Sequence, residues 1–230
     1  MNKQKVNTLI FSDVHLGTEL SRSDVLLENL QNFEFKRLIL LGDIFDDVDF
    51  KKLQDIHWDL LKYISDIIKD KNVELIWLRG NHDHLLDKIS SLFLGINIIE
   101  EYKWEVNNTR FLAMHGHQFD TLFPKNKFVL SFVSLVYHTL RKLDTKNRVI
   151  ITFIKKKSNM WRNISRKLAD RSIEYATPEN VDIVICGHSH DVYHKKSDKI
   201  EYFNTGCWVD KPSNFITISE SGEVNTHYFY

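Results

Sequence analysis

Five short clusters of carboxylate, imidazole and amide side chains are spread along the 230 residues of the chain. They are Asp13-Val14-His15, Gly42-Asp43, Gly80-Asn81-His82-Asp83, His115-Gly116-His117 and Gly187-His188-Ser189-His190. Asp13, Asp43, His15, His115, His188 and His190 offer carboxylate oxygens and imidazole nitrogens, and Asn81 adds a neutral amide oxygen. Together they exceed what one four- or six-coordinate ion needs alongside solvent, and they suit two ions sharing a bridging carboxylate. Asp43 is the natural bridge, because its two oxygens can each face a different ion. Two metals about 3.5–4 Å apart can clamp both the attacking and the leaving oxygen of an in-line displacement at phosphorus.

Spacing within the clusters agrees with that chemistry. The i,i+2 offset of Asp13 and His15 predicts both side chains on one side of extended backbone, and His188 and His190 can likewise approach the ions together. Gly42, Gly80 and Gly187 precede ligand groups, where a missing Cβ permits sharp turns and the close approach of an anion. With Asn81 committed to a metal, His82 points toward substrate as general acid or phosphate-oxygen donor, and Asp83 orients it by accepting a hydrogen bond. A specified tetrapeptide arises by chance about once in 160,000 positions. Two of them, GNHD and GHSH, occur here in order with the shorter clusters.

The elements that must position these groups alternate short apolar runs with longer amphipathic ones, the pattern of an α/β or layered α+β domain. Strands are predicted over residues 6–11, 38–41, 73–78, 110–114, 183–186, 201–204, 215–219 and 226–229, and helices over 24–32 and 50–69. Five of the strands run directly into the five clusters, and in such sheets ligands gather at the carboxyl ends of strands. Between Gln118 and Val181 the strand rhythm stops. Apolar segments at 128–140 and 149–154, the basic run Lys155–Lys157 and an amphipathic segment around Trp161, Ile164 and Leu168 read as an inserted helical cap, residues 120–180, within one domain of 230 residues.

The ordered series of clusters resembles the calcineurin-like metallophosphoesterase family over essentially the whole chain apart from the cap. That resemblance implies a four-layer αββα sandwich around a dinuclear centre. It implies that Asp13, His15, Asp43 and His190 hold one ion, and that Asp43, Asn81, His115 and His188 hold the other. A hydroxide bridging the ions would attack phosphorus while His82 assists. The mixed nitrogen and oxygen donor set favours two divalent ions, Mn2+ first, with Fe or Zn as alternatives, over Ca.

The chain length, the LGDIFD context of Asp43, the cap after His115 and the closing Asn204-Thr205-Gly206-Cys207-Trp208-Val209 resemble one branch of that family, the UDP-2,3-diacylglucosamine pyrophosphohydrolases of lipid A biosynthesis. That likeness implies hydrolysis of a lipid-linked diphosphate to UMP and lipid X, with acyl chains held by the cap. The branch typically carries Arg where this chain has His82 and Asp where it has His117. The alternatives are a phosphatase or phosphodiesterase for nucleotides or other small phosphoesters and, more remotely, a scaffold without turnover. Long aliphatic faces in the cap argue against a nucleic-acid partner, which would call for aromatic side chains interleaved with Lys and Arg.

Composition bounds the rest. Hydrophobic residues make up 43% and charged residues 27%, as in ordinary globular chains. No apolar run reaches the ~20 residues needed to span a bilayer. Two cysteines, Cys186 and Cys207, and a polar start read as a cytoplasmic protein with reduced thiols. The 31 Lys+Arg balance the 31 Asp+Glu, but the sum hides an asymmetry. From Arg141 to Arg171 eleven basic residues face two acidic ones, leaving 20 basic against 29 acidic elsewhere. A basic cap over an acidic body suits a phosphate substrate and a peripheral contact with an anionic membrane surface, here the inner one.

Overall fold

The computed structural model describes residues 3–47, 49–71, 73–83, 97–122 and 159–230. Residues 123–158, which carry the apolar segments expected to form the cap, lie outside them, as do His84 and His138.

Two sheets face each other. In the first, β1 (Gln4–Phe11), β2 (Phe33–Leu41), β3 (Glu74–Leu78) and β4 (Ile98–Ile99) run parallel. They are flanked by β10 (Ser213–Ile218), antiparallel to β1, and by β11 (Val224–Phe229) at the edge. In the second, β6 (Thr109–Met114), β7 (Ile183–Cys186) and β9 (Glu201–Asn204) are parallel. Antiparallel β5 (Glu101–Val106) and β8 (His194–Lys196) close its edges. The central strands are apolar on both faces, as strands covered on both sides must be. Along β2, Leu38 and Leu40 face one way and Ile39 and Leu41 the other. Along β7, Ile183 and Ile185 alternate with Val184 and Cys186 in the same manner.

That alternation builds three apolar layers. Ile10, Ile39, Leu41, Phe111, Ile185 and Ile216 fill the space between the sheets. On the outer face of the first sheet, Leu26 and Leu30 of α1 (Ser23–Leu30) and Leu60, Ile64 and Ile67 of α2 (Asp55–Lys71) pack on Val6, Leu38 and Leu40. On the outer face of the second, Ala169, Ile173 and Ala176 of α3 (Asn159–Ala176) pack on Leu112, Met114 and Val184. Each large aliphatic side chain taken fully out of water contributes about 1.5–3 kcal/mol. The result is the expected αββα sandwich.

Three details differ from expectation. The helix α3, within the segment expected to be a cap, packs as the outer helical layer of the second sheet, because its small residues seat it directly on the strands. The helix expected over 50–69 begins at Asp55. Before it, Phe50–Lys52 makes a single 3-10 turn, capped when the Asp49 side chain accepts from the Lys51 N–H, and Leu53 is extended, which interrupts the helix. Finally β4, β5 and β8 were not expected. β4 and β8 are only two and three residues long, and β5 alternates polar and apolar side chains at a sheet edge, so none gives a strong apolar run.

Candidate active site

All five clusters sit in loops at the carboxyl ends of parallel strands, two sheets contributing to one place. Backbone hydrogen bonds lace these loops together. The N–H groups of Asp13 and His15 donate to the carbonyls of Gly42 and Asp43 at 3.0 and 3.1 Å, so the loops after β1 and β2 run side by side. The Gly187 N–H reaches the His115 carbonyl at 3.1 Å, and the Trp208 N–H reaches the Asp13 carbonyl at 2.9 Å. The second of these bonds ties the two sheets together at the site.

The loops hold the donors in an uncommon conformation. Asp13, His15, Asp43, His188 and His190 have φ of +52°, +49°, +51°, +68° and +54°. Apart from these five, the non-glycine residues with positive φ among the described residues are Asn107, Asn108 and Asn180, whose short amides tolerate it. A left-handed non-glycine residue costs on the order of 1–3 kcal/mol and persists only where its surroundings enforce it. Asp13 and His15 therefore do not converge through an extended i,i+2 backbone, as their spacing suggests. They converge because both residues turn left-handed.

Two donor sets result. Ligand atoms of Asp13, His15 and His190 lie within 4.8 Å of one another, and so do those of Asp43, His115 and His188. Asp13 and Asp43 are buried, at 0% and 2% exposure. In each set hydrogen bonds hold the far side of a ligand and leave its near side facing the other donors. Asp13 Oδ2 accepts from the Ser12 hydroxyl and, at 3.0 Å, from the His188 N–H, while Oδ1 faces His190 Nε2 at 3.0 Å. Asp43 Oδ1 accepts from the His82 N–H at 2.8 Å, and Oδ2 lies 3.4 Å from His115 Nε2. His115 Nδ1 donates to the Leu41 carbonyl at 2.8 Å, which leaves Nε2 for a ligand. His15 is held in the same way by Asp46 Oδ1, 3.2 Å from its Nδ1, and its Nε2 approaches His190 Nε2 at 3.2 Å.

Divalent cations fit this site. Asn81 Oδ1 and His115 Nε2 are buried without a hydrogen-bond partner among the described residues, and each belongs to an expected ligand. Buried acceptors in that condition are costly unless a cation or water meets them. The charge balance points the same way. Burial opposes ionisation of Asp13, but the imidazoles of His190 and His115 outweigh it and hold the carboxyl at about 2. Burial likewise opposes charge on His115, yet the Asp43 and Asp13 carboxylates raise it to about 9. Without metal, imidazole protons supply the positive charge the carboxylates require. A metal replaces them, so metal affinity weakens as the pH falls.

His82 is exposed, and its ring lies edge-on to His15 with centroids 5.0 Å apart. Its Nδ1 is 2.7 Å from the backbone carbonyl of Asp46. The orienting partner is therefore Asp46, not the expected Asp83. Asp83 Oδ2 instead accepts from the N–H groups of Gly80 and Asp43, at 2.9 and 3.0 Å, and clamps the β2 and β3 loops together. Burial lifts the Asp83 carboxyl to about 6, the Gly80 N–H working against that and the negative charge of Asp43 with it. Asp46, which serves both His15 and His82, is not singled out by the sequence motifs; its signal is the second aspartate of LGDIFD, three residues after Asp43. His117 sits with its ring 5.5 Å from that of His115, at the edge of the second donor set. His194 bonds Glu201 at 2.7 Å and stacks on Phe203 along β8, away from the donors.

Gly42, Gly80 and Gly187 do precede ligands, but what approaches them is the site itself. A Cβ on Gly80 would stand 2.1 Å from Asp43 Oδ1 and 2.2 Å from the Asp43 nitrogen. One on Gly42 would stand 2.5 Å from His115 Nδ1.

The chain is similar to several known proteins. UDP-2,3-diacylglucosamine hydrolase of Haemophilus influenzae is 25% identical over 237 residues, covering 94% of this chain and 97% of that protein. The enzyme of the same name from Neisseria gonorrhoeae is 23% identical over 230 residues, covering 93% and 94%. Among solved structures, an archaeal phosphodiesterase superposes with a TM-score of 0.52 at 15% identity, over 96% of this chain and 99% of that one. A Vps29 variant from Entamoeba histolytica gives 0.50 at 14%, over 97% and 99%. Both share the sandwich. With two buried His/Asp donor sets at the strand ends and residues 6–192 matching the model of the calcineurin-like phosphoesterases, the chain belongs to that family of metal-dependent phosphoester hydrolases.

Proposed function

We propose that the chain hydrolyses a lipid-linked diphosphate of the UDP-2,3-diacylglucosamine type to UMP and lipid X, at a centre of two divalent ions, Mn2+ in the first instance. The observation that carries the metal centre is the pair of adjacent donor sets, Asp13/His15/His190 and Asp43/His115/His188. The substrate rests on the relatives named for it, which align over more than nine-tenths of the chain.

Asp13, His15 and His190 would hold one ion, Asn81, His115 and His188 the other, and Asp43 both. When bound, two such ions neutralise phosphoryl charge and make water a nucleophile near neutral pH. Ser12, Asp46 and the Leu41 carbonyl keep the donors turned to their task by occupying the far atoms of Asp13, His15 and His115. With its Nδ1–H donating to the Asp46 carbonyl, His82 has Nε2 left for substrate, and as the imidazolium it would donate from that atom to a phosphoryl or leaving oxygen. His82→Ala keeps the backbone N–H that Asp43 accepts, so it is expected to retain both metals while kcat falls ~10²–10⁴-fold. Metal content at wild-type level alongside that loss is the signature; unchanged kcat would remove His82 from the chemistry.

The apolar segments 128–140 and 149–154 would receive the acyl chains, and the basic stretch beginning at Arg141 would meet diphosphate or an anionic membrane surface on the cytoplasmic side. No helix among the described residues is long and apolar enough to cross a membrane. One observation favours a second reading, a small phosphoester as substrate: His82 and His117 stand where the lipid-cleaving branch typically has Arg and Asp. UMP release from UDP-2,3-diacylglucosamine and from its deacylated analogue separates the two. A few buried methylenes at about 0.8 kcal/mol each predict a preference of about 10-fold or more for the acylated substrate. Equal rates would select the small-phosphoester reading.

A further inference from the structure

His190 has a second set of neighbours. On the loop that follows β9, Cys207 and Asp210 bring a sulfur and a carboxylate oxygen to within 4.8 Å of a ring nitrogen of His190 and of each other. The Cys207 Sγ lies 3.9 Å from Asp210 Oδ2 and 3.9 Å from the His190 carbonyl, donating toward both. Cys207 and Asp210 are buried, at 2% and 9% exposure, whereas the His190 side chain remains 23% open and leaves a way in. The loop is well anchored: Trp208 N–H bonds the Asp13 carbonyl at 2.9 Å, and the Trp208 carbonyl accepts from Arg22 N–H at 2.8 Å. The Asp210 carbonyl accepts from the Ser213 hydroxyl at 2.8 Å. Sulfur, nitrogen and oxygen donors thus converge on one point beside the expected metal pair, in a combination that pair does not use.

The geometry points to a further cation site, formed by His190, Cys207 and Asp210, that takes thiophilic divalent ions such as Zn2+ or Cd2+ and competes with the catalytic pair for His190. Tetrahedral zinc sits about 2.3 Å from sulfur and about 2.0–2.2 Å from nitrogen or oxygen, so its donors stand about 3.5 Å apart. The three side chains need close by only about an ångström. Thiolate selects soft ions, whereas Mn2+ and Mg2+ prefer oxygen donors. Binding breaks the Cys207 S–H bond, forms a metal–sulfur bond and releases one proton to solvent, with no change of oxidation state. His190 also serves the first donor set, its Nε2 facing Asp13 Oδ1 at 3.0 Å, so an ion that draws its ring toward Cys207 and Asp210 takes it from that set, and excess zinc or cadmium is expected to inhibit. The inhibition rests on the proposed role of His190; the binding does not.

The test titrates the metal-free, full-length protein with Cd2+ and follows the thiolate-to-metal charge-transfer band in the near ultraviolet. The expected result is a band saturating at one ion per chain, absent with Mn2+, lost in Cys207→Ser and kept in Cys186→Ser. Asp210→Asn is expected to raise the Kd ~10-fold or more. In the wild-type protein, where folding is not in question, Cd2+ is also expected to protect Cys207 from alkylation, read by peptide mass. A wild-type protein with no band, a band that survives Cys207→Ser, or Cys207 alkylated equally fast with and without Cd2+ would overturn the site. The readouts are spectral and chemical, so they stand or fall apart from phosphohydrolase activity.

Discussion

Asp43→Ala is expected to hold fewer than two Mn2+ ions per chain and to lower turnover by at least ~10³-fold. That loss corresponds to about 4 kcal/mol of transition-state stabilisation, the several kcal/mol that metal catalysis commonly supplies. The reason lies in how Asp43 is placed. Its Oδ1 takes the His82 N–H, its Oδ2 faces His115 Nε2 at 3.4 Å, and it belongs to the second donor set while His15 and His82 lie within reach on the other side. Burial opposes its ionisation, yet His115 and His15 hold the carboxyl well below the usual carboxylate range. The main chain at Asp43 is held independently, through Asp83 Oδ2, so the substitution should leave the fold intact. A binding ligand stabilises the native state by RT ln(1 + [L]/Kd), so Mn2+ is expected to raise the Tm of the wild type and to raise that of the variant far less. Metal analysis and turnover measured on one preparation check both halves of this expectation. An Asp43→Ala protein that binds two ions and works at the normal rate would refute the bridging role.

Gly80→Ala is expected to damage the site without replacing a ligand. The added methyl would lie 2.1 Å from Asp43 Oδ1 and 2.2 Å from the Asp43 nitrogen, well inside van der Waals contact. Neither atom can move far. Asp43 is at 2% exposure, and its N–H shares the Asp83 carboxylate with that of Gly80 itself. Overpacking of this kind costs about 1–3 kcal/mol, which for a chain of this size lowers Tm by about 2–12 °C. Displacing a ligand by about 1 Å is expected to cost a further ~10²-fold in rate, so kcat/KM should fall even at temperatures where the variant stays folded. Thermal melts together with kinetics below the melting range make the check. A variant with wild-type Tm and wild-type kcat/KM would mean that the β2 and β3 loops are looser than their hydrogen bonds imply.

Much of the site is legible in the sequence because metal ligation accepts few residue types and the apolar runs mark where strands end. Asp13, Asp43, His115 and His188 can be found from type and position alone. What the sequence cannot convey is conformation that tertiary contacts impose. The positive φ of Asp13, His15 and His190 follows from hydrogen bonds between loops far apart in the chain, such as Trp208 to Asp13, and no local preference forecasts it. Adjacency misleads in the same way at Asp83. Next to His82 in sequence, it turns inward to bond Gly80 and Asp43, while the partner that orients His82 comes from the β2 loop at Asp46. The helix α3 shows a third limit. An amphipathic pattern says that one face is covered but not by what, and the face bearing Ala169, Ile173 and Ala176 is covered by the second sheet rather than by substrate.

On the proposed reading, two cations held by donors of both sheets make this chain a hydrolase. The most direct measurement adds Mn2+ stepwise to metal-free protein and records the rate of UDP-2,3-diacylglucosamine cleavage after each addition. Turnover that is absent in chelator, rises with added metal and levels off at two equivalents per chain is the predicted result. Turnover that persists in chelator, or reaches its plateau at one equivalent, would contradict it.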